Sequence, residues 1–487
     1  MADKPLGEDG YYMLTIAWNL AGGKGMSAGP TQNVTGTQPL ATLLYGALAW
    51  IVRCLGGDHW VFLRAVIILG TFLLVAFGVV VGKVAAALTA KEERSREAFA
   101  VAFTLAAGSF YLFRTFTYGL ETGIYLLLLA SCVLLSLRLP VGGACSIRQA
   151  LVLGLLVGLT GTARIDFGVP FAVFAASALV QRRVRISRLV LTGVTALALV
   201  LPWLAWVKTV SGFWIPTSGL AESSLVTWAR VPDRLWALVG AVVQQWLPPL
   251  YTAGRPFLTA VGLVSIPTLA AIGSRAVGGG AFEGPRLTVL LYWLAGTLVL
   301  SATYCLLFWS THFYVRYTAP LTVITIPLTA CWVAAIARRQ RRTLAMVLAT
   351  VMLLFALSAY RSLHSGRIGN THALAAAYIN EHLRGARVGA FQSGVIGYFN
   401  ENVVNLDGKI NRAALEAAGG GRLGGYIDEQ RIDALIDWPE VIHGALGEDY
   451  LRGWSSCRWP VPAGASVCLE RAGARQTAPA DELQRAP

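Results

Sequence analysis

Two adjacent carboxylates, Glu8 and Asp9, open the string Glu8-Asp9-Gly10-Tyr11-Tyr12, ahead of an amphipathic stretch, Leu14 to Leu20, and a glycine-rich turn, Gly22-Gly23-Lys24-Gly25. A positioned carboxylate can take the proton of an attacking hydroxyl, and a neighbouring cation can stabilise a departing phosphate. A third acid, Glu121, stands in Tyr118-Gly119-Leu120-Glu121-Thr122-Gly123 at the mouth of an apolar run. Arg164 and Asp166 lie between two shorter apolar runs, where pairing with each other is the plain structural reading. Cations suited to a phosphate are Lys208, His312 and Arg316, with Arg114 a further candidate. The segment Ser310 to Tyr317 packs hydroxyls, an imidazole, a guanidinium and aromatics together; the competing reading is an aromatic belt with a snorkelling arginine. Tyr12, Arg164 and Tyr317 complete the expected donor-binding set. The Gly-Lys pair at 23–24 lacks the spacing and preceding strand of a phosphate loop.

The elements that must hold these groups are apolar. Of 487 residues, 55% are hydrophobic and only 14% charged, with a mean hydropathy of +0.58. That is too little charge to coat a soluble chain of this length. Continuous apolar stretches, without period-two alternation, predict a polytopic α-helical membrane protein and exclude an outer-membrane barrel. Spans are expected near 60–82, 98–116, 120–137, 188–207, 256–273, 287–309, 317–337 and 343–360, with a hairpin at 149–163 and 165–181 and an ambiguous segment at 39–55, ten to eleven in all.

The net charge of +14 does not point to nucleic acid. Residues 361–487 hold 13 Lys and Arg against 14 Asp and Glu, so 27 of the 40 basic residues and 12 of the 26 acidic ones fall in 1–360. The excess sits in short loops that fix topology. Clusters at 83–96, 182–188 and 338–342 then face the cytoplasm, and Glu121, 208–255, 310–316 and the tail face outside. The tail reads as a small soluble α/β unit, with short strands over 387–390, 395–399 and 403–408 and a further element at 432–438. Two units are therefore expected, 1–360 in the membrane and 361–487 outside it. Cys457 and Cys468 flank a turn-forming stretch and are expected to form a disulfide. The remaining cysteines show no metal-ligand spacing, and no metal is assigned.

The string Glu8-Asp9-x-Tyr11…Ala17-x-Asn19-Leu20-Ala21-x-Gly23-x-Gly25…Gly36-x-x-Pro39-Leu40 resembles the first outer loop of GT-C glycosyltransferases. Gly119-Leu120-Glu121-Thr122, Thr162 to Asp166, Ile215-Pro216-Thr217, Arg316-Tyr317…Pro320-Leu321 and Gly394-x-Ile396-Gly397-Tyr398-Phe399…Leu406-Asp407-Gly408 continue the resemblance in order. It implies a polyprenyl-phosphate-linked sugar as donor and a glycan, lipid or protein of the cell envelope as acceptor. It also implies inversion at the anomeric carbon on the outer face of a bacterial plasma membrane. Asp9 matches the base, Glu8 is its understudy, and Glu121 orients acceptor or sugar. The nearest likeness is to arabinofuranosyltransferases of actinobacterial walls. The resemblance makes 39–55 juxtamembrane or re-entrant. Family members carry a span before the acidic pair, so either the start lies upstream or that span is lacking. A transporter or flippase of a lipid-linked sugar is the alternative. It calls for inverted halves around midplane polar sites, whereas here the acids gather at one face and no internal repeat is visible.

Overall fold

The computed structural model describes residues 6–31, 33–89, 92–139, 145–182, 184–223, 231–246, 284–308, 314–337, 341–364, 371–457 and 466–471. The expected span at 256–273, together with His312, lies outside the described residues. The chain opens with α1 (Glu8–Ala21) and α2 (Pro39–Cys54), followed by α3 (His59–Leu88), α4 (Glu92–Ala107), α5 (Phe110–Thr117) and α6 (Thr122–Leu137). Next come α7 (Ile147–Ala163), a 3₁₀ turn (Ile165–Phe167), α8 (Gly168–Val180), α9 (Ile186–Ser211), α10 (Thr217–Ser223) and α11 (Val231–Trp246). The helical part closes with α12 (Gly284–Leu307), α13 (Tyr314–Thr318), α14 (Thr322–Ala337) and α15 (Arg341–His364).

Among the described residues four helices are long and apolar enough to cross a bilayer: α3, α9, α12 and the run Val315–Ala335. A fifth is bent by 61° between α4 and α5. The bend falls at Gly108-Ser109, where the Ser109 hydroxyl accepts from Leu112 N at 3.3 Å and starts a new helix. The expected span at 120–137 and the first arm of the hairpin form shorter apolar helices, α6 and α7, as does the ambiguous segment 39–55, α2. At 16 residues, α2 and α6 fall short of the roughly 20 that a perpendicular crossing needs. Helix α2 turns Leu43, Trp50 and Ile51 outward.

The C-terminal unit holds α16 (Thr371–His382), β1 (Val388–Ala390), α17 (Gly394–Phe399), β2 (Val403–Asn405), α18 (Arg412–Gly419), α19 (Leu423–Glu429), β3 (Ala434–Asp437), α20 (Pro439–Leu451), β4 (Trp454–Ser456) and β5 (Val467–Arg471). Its sheet runs β2-β1-β3-β5-β4. Strand β1 is parallel to β2 and β3, while β5 is antiparallel to β3 and β4. Residues 395–399, expected as a strand, form α17 instead. The β1–α17–β2 order is a parallel crossover, which needs a helix between its strands. Cys457 and Cys468 are bridged, with Cα atoms 5.3 Å apart.

Helix α1 joins the two parts. Tyr12 Oη donates to the carbonyl of Phe391 and accepts from Ser393 N, both at 3.1 Å. Tyr11 packs edge-on against Tyr398, ring centroids 5.3 Å apart. On its other side α1 presses onto the α5–α6 turn. A Cβ on Gly10 would stand 2.0 Å from the Tyr118 carbonyl oxygen, and Gly119 there has φ +87°. Only glycines permit that approach, and it sets α1 beside the Glu121 turn.

Candidate active site

Asp9, in the first turn of α1, faces a cavity of about 400 Å³ between the helical part and the C-terminal unit. Pockets that hold small ligands run from about 300 to 1,000 Å³. Asp9 Oδ2 accepts from Arg316 Nη1 at 3.1 Å, with the side chains 20% and 25% exposed. Arg316 Nη2 also donates to Tyr317 Oη at 3.3 Å. Tyr317 stacks on Tyr304, their centroids 4.0 Å apart.

Beneath this pair lies a closed network. Arg164 follows α7 in an extended conformation, φ −152° and ψ 119°, which turns its guanidinium toward the start of α6. Nη1 donates to Glu121 Oε1 at 2.6 Å and Nη2 to Asp166 Oδ2 at 2.6 Å. Nη2 also donates to Tyr304 Oη at 2.7 Å, and that hydroxyl donates to Asp166. Arg164 and Glu121 are 7% and 6% exposed. Buried charges persist only when paired and hydrogen-bonded, and here one cation serves two carboxylates. The expected Arg164–Asp166 pairing is present, and Glu121 belongs to the same network.

The other candidates divide. Tyr12, Arg316 and Tyr317 line the cavity with Asp9, Glu121 and Arg164. Glu8, one residue from Asp9, points the other way: its carboxylate accepts from Gly394 N and from Val395 N and lies 3.2 Å from His372 Nδ1. Lys208 Nζ donates to the carbonyl of Gly212, closing the end of α9, and Arg114 is exposed on α5. Neither is among the lining residues. Two lining residues that sequence reasoning did not select are Lys409 and Glu222, paired at 3.3 Å. Each reads alone as an ordinary solvated charge. Burial works against the charge on Lys409, but Asp9, Asp407 and Glu222 overrule it and raise its pKa. Burial pushes the neighbouring Asp407 carboxyl up to about 6, against the opposing pull of Lys409.

Among the described residues, the one group of three His, Cys or acidic side chains close enough to share an ion is Cys457, Cys468 and Glu470. Its two sulfurs are spent on the disulfide.

No protein-family model and no curated protein matches the chain. Solved structures do. ArnT from Cupriavidus metallidurans, bound to undecaprenyl phosphate, aligns with a TM-score of 0.58 and 12% identity over 95% of this chain and 93% of that one. The Archaeoglobus fulgidus oligosaccharyltransferase tethered to an acceptor peptide containing the NVT sequon aligns with a TM-score of 0.52 and 10% identity over 97% of this chain and 70% of that one. The chain has the GT-C fold. Arabinofuranosyltransferase AftD from Mycobacteria aligns with a TM-score of 0.39 and 15% identity over 95% of this chain and 39% of that one. So loose a likeness says nothing of the sugar. The cavity is lined by charged groups, Asp9, Arg316 and Lys409 among them, and by apolar ones, Leu300, Leu307 and Phe308 of α12 and the loop after it with Ile165 and Val169.

Proposed function

We propose that the protein is an inverting membrane glycosyltransferase that moves a monosaccharide from a polyprenyl-phosphate donor to a cell-envelope acceptor. The observation that carries this reading is the Asp9–Arg316 pair in a cavity with both charged and apolar lining, on a fold shared with a protein solved with undecaprenyl phosphate. The apolar lining suits a prenyl chain. The cations suit its phosphate, and the carboxylate suits an acceptor hydroxyl.

The reaction follows from the pair. Arg316 neutralises Asp9. A phosphate offers the guanidinium two or more anionic oxygens in place of the carboxylate, so donor binding turns Arg316 toward the phosphate and leaves Asp9 free to act as base. The acceptor oxygen attacks the anomeric carbon as its proton passes to Asp9. The bond from that carbon to the phosphate oxygen breaks, its electron pair leaves on the polyprenyl phosphate, and the configuration inverts. Arg164, held by Glu121 and Asp166, fixes the floor on which this happens; Glu121 acts through it.

In the same reading residues 1–360 are the catalytic membrane unit and 361–487 an extracytoplasmic unit. The Cys457–Cys468 bridge supports that side, since disulfides persist in oxidising compartments. A bacterial plasma membrane is the proposed location and arabinofuranose the proposed sugar; the support for both is the sequence resemblance. The test is transfer from radiolabelled polyprenyl-phosphate sugars by the purified chain. Wild-type protein that turns over none of a donor panel, including the arabinofuranosyl one, would refute the reading.

A further inference from the structure

The cavity has a second wall that the reaction above does not use. It forms where the turn after β2 meets residues 36–38 and α10. Thr217 Oγ1 donates to the carbonyl of Lys409 at 3.0 Å. A Cβ on Gly36 would stand 2.1 Å from that same oxygen, so the two loops touch backbone to backbone. The contact seats Lys409 Nζ 3.3 Å from Glu222 Oε1, with the side chains 28% and 15% exposed. Both line the cavity. So does Thr37, which is 5% exposed and has a buried Oγ1 with no hydrogen-bond partner. A hydroxyl shut away from water without a partner is costly, and such a group is explained when a ligand supplies the bond.

We infer that Thr37, Glu222 and Lys409 form an acceptor subsite for a neutral polyhydroxylated molecule, the end of a glycan. The inference rests on the transferase reading above. A sugar hydroxyl both donates and accepts, and the trio offers it a carboxylate that accepts, an ammonium that donates and a hydroxyl that does either. Charge selects against an acidic acceptor. Every cation among the described lining residues has a carboxylate at salt-bridge distance: Arg164 has Glu121 and Asp166, Arg316 has Asp9, and Lys409 has Glu222. Among the described lining residues four acids face three bases, and once the donor phosphate draws Arg316 from Asp9 no cation is left to neutralise a uronic acid, whose desolvated carboxylate meets repulsion. The subsite also gives the C-terminal unit a part in the reaction, because Lys409 enters the cavity from it.

The test uses the full chain in lipid nanodiscs with a labelled polyprenyl-phosphate sugar and three acceptors: a neutral disaccharide, the matching uronic-acid disaccharide and a serine-containing tripeptide. Donor hydrolysis by wild-type protein without acceptor reports on the transferase reading alone. With acceptor, the neutral disaccharide should be the best substrate. Thr37→Val and Glu222→Gln should each raise its KM by about ten- to a hundredfold while donor KM moves by less than about twofold, the loss expected for one hydrogen bond to a polar or charged group. Thr37→Val should melt no lower than wild type, since its hydroxyl has no hydrogen-bond partner among the described residues; this separates recognition from folding. Saturation-transfer NMR of the neutral disaccharide, strong on wild type and weakened in Thr37→Val, tests the subsite whether or not turnover is seen. Unchanged acceptor KM and NMR signal in Thr37→Val, or a preference for the uronic acid or the peptide, would overturn the inference.

Discussion

Glu8→Gln and Asp9→Asn make the same chemical change at neighbouring residues, and they should fail in opposite ways. Glu8 lies on the seam, where it accepts from Gly394 N and from Val395 N and faces His372. Its side chain is 19% exposed. A hydrogen bond to a charged group contributes about 1.5–3 kcal/mol. Glutamine keeps one accepting oxygen and presents an NH₂ where the other stood, so Glu8→Gln should give up roughly one such bond, about 1.5–3 kcal/mol. That loss loosens the C-terminal unit from α1. It should appear as a lower Tm by tryptophan fluorescence and as earlier proteolytic cleavage between the two parts, while folded protein still turns over donor. Asp9→Asn loses a pair to Arg316 whose members are 20% and 25% exposed. Asparagine keeps an accepting oxygen for Arg316 Nη1, so about 1 kcal/mol is lost and Tm should move less than in Glu8→Gln. Turnover should fall by about 10²–10⁴-fold, the usual worth of a general base. An Asp9→Asn enzyme with wild-type turnover would remove Asp9 from the role. A Glu8→Gln enzyme that keeps its Tm yet loses turnover would transfer the role to Glu8.

Arg164→Met leaves Glu121 and Asp166 as buried, unpaired acids and should cost about 3–5 kcal/mol. Adding Glu121→Gln should recover part of the lost Tm, and no recovery would separate the two residues. Arg316→Ala should raise donor KM more than acceptor KM; unchanged donor KM and kcat would refute the phosphate contact. Burial holds the Asp407 pKa near 6 in the folded chain, above its unfolded value of 3.8. The folded state thus binds the proton more tightly, and this group's contribution to stability is present below about pH 4 and lost as pH rises through 6. Asp407→Asn should therefore raise Tm at pH 7.5, by an equivalent of at most about 3 kcal/mol, and change nothing at pH 4; equal effects at both would refute it. Reducing Cys457–Cys468 should destabilise the C-terminal unit by about 2–3 kcal/mol, and labelling of both thiols under non-reducing denaturation would show there is no bridge.

The helical architecture was legible because bilayer-scale hydropathy survives any arrangement of helices. Helix lengths were less so: α6 and α7 are as apolar as true spans, but Glu121, Ser146 and Arg164 stop them short. Asp9 and Arg316 were each readable as a charge on the outer face, one suited to a base and the other to a phosphate; that they pair was not. Glu8 was not distinguishable from Asp9 in sequence, since only the helical turn between adjacent residues sends one to the seam and the other to the cavity. Residues 395–399 have strand-like composition, and the parallel pairing of β1 with β2 made them a helix. Lys409 and Glu222 carried no signal at all. Their place in the cavity arises from a helix and a turn, 187 positions apart in sequence, meeting over it.

The seam through α1 also sets an order of events in time. Tyr12 and Glu8 bond to residues 379–387 positions further along the chain. At synthesis rates of about 5–20 residues per second, the first helix waits roughly 20–80 s for its partners to leave the ribosome. During that interval the helical part can enter the bilayer, but the roof of the cavity, Lys409 included, does not yet exist. The cavity therefore gains that part of its lining only after the helical part has been made.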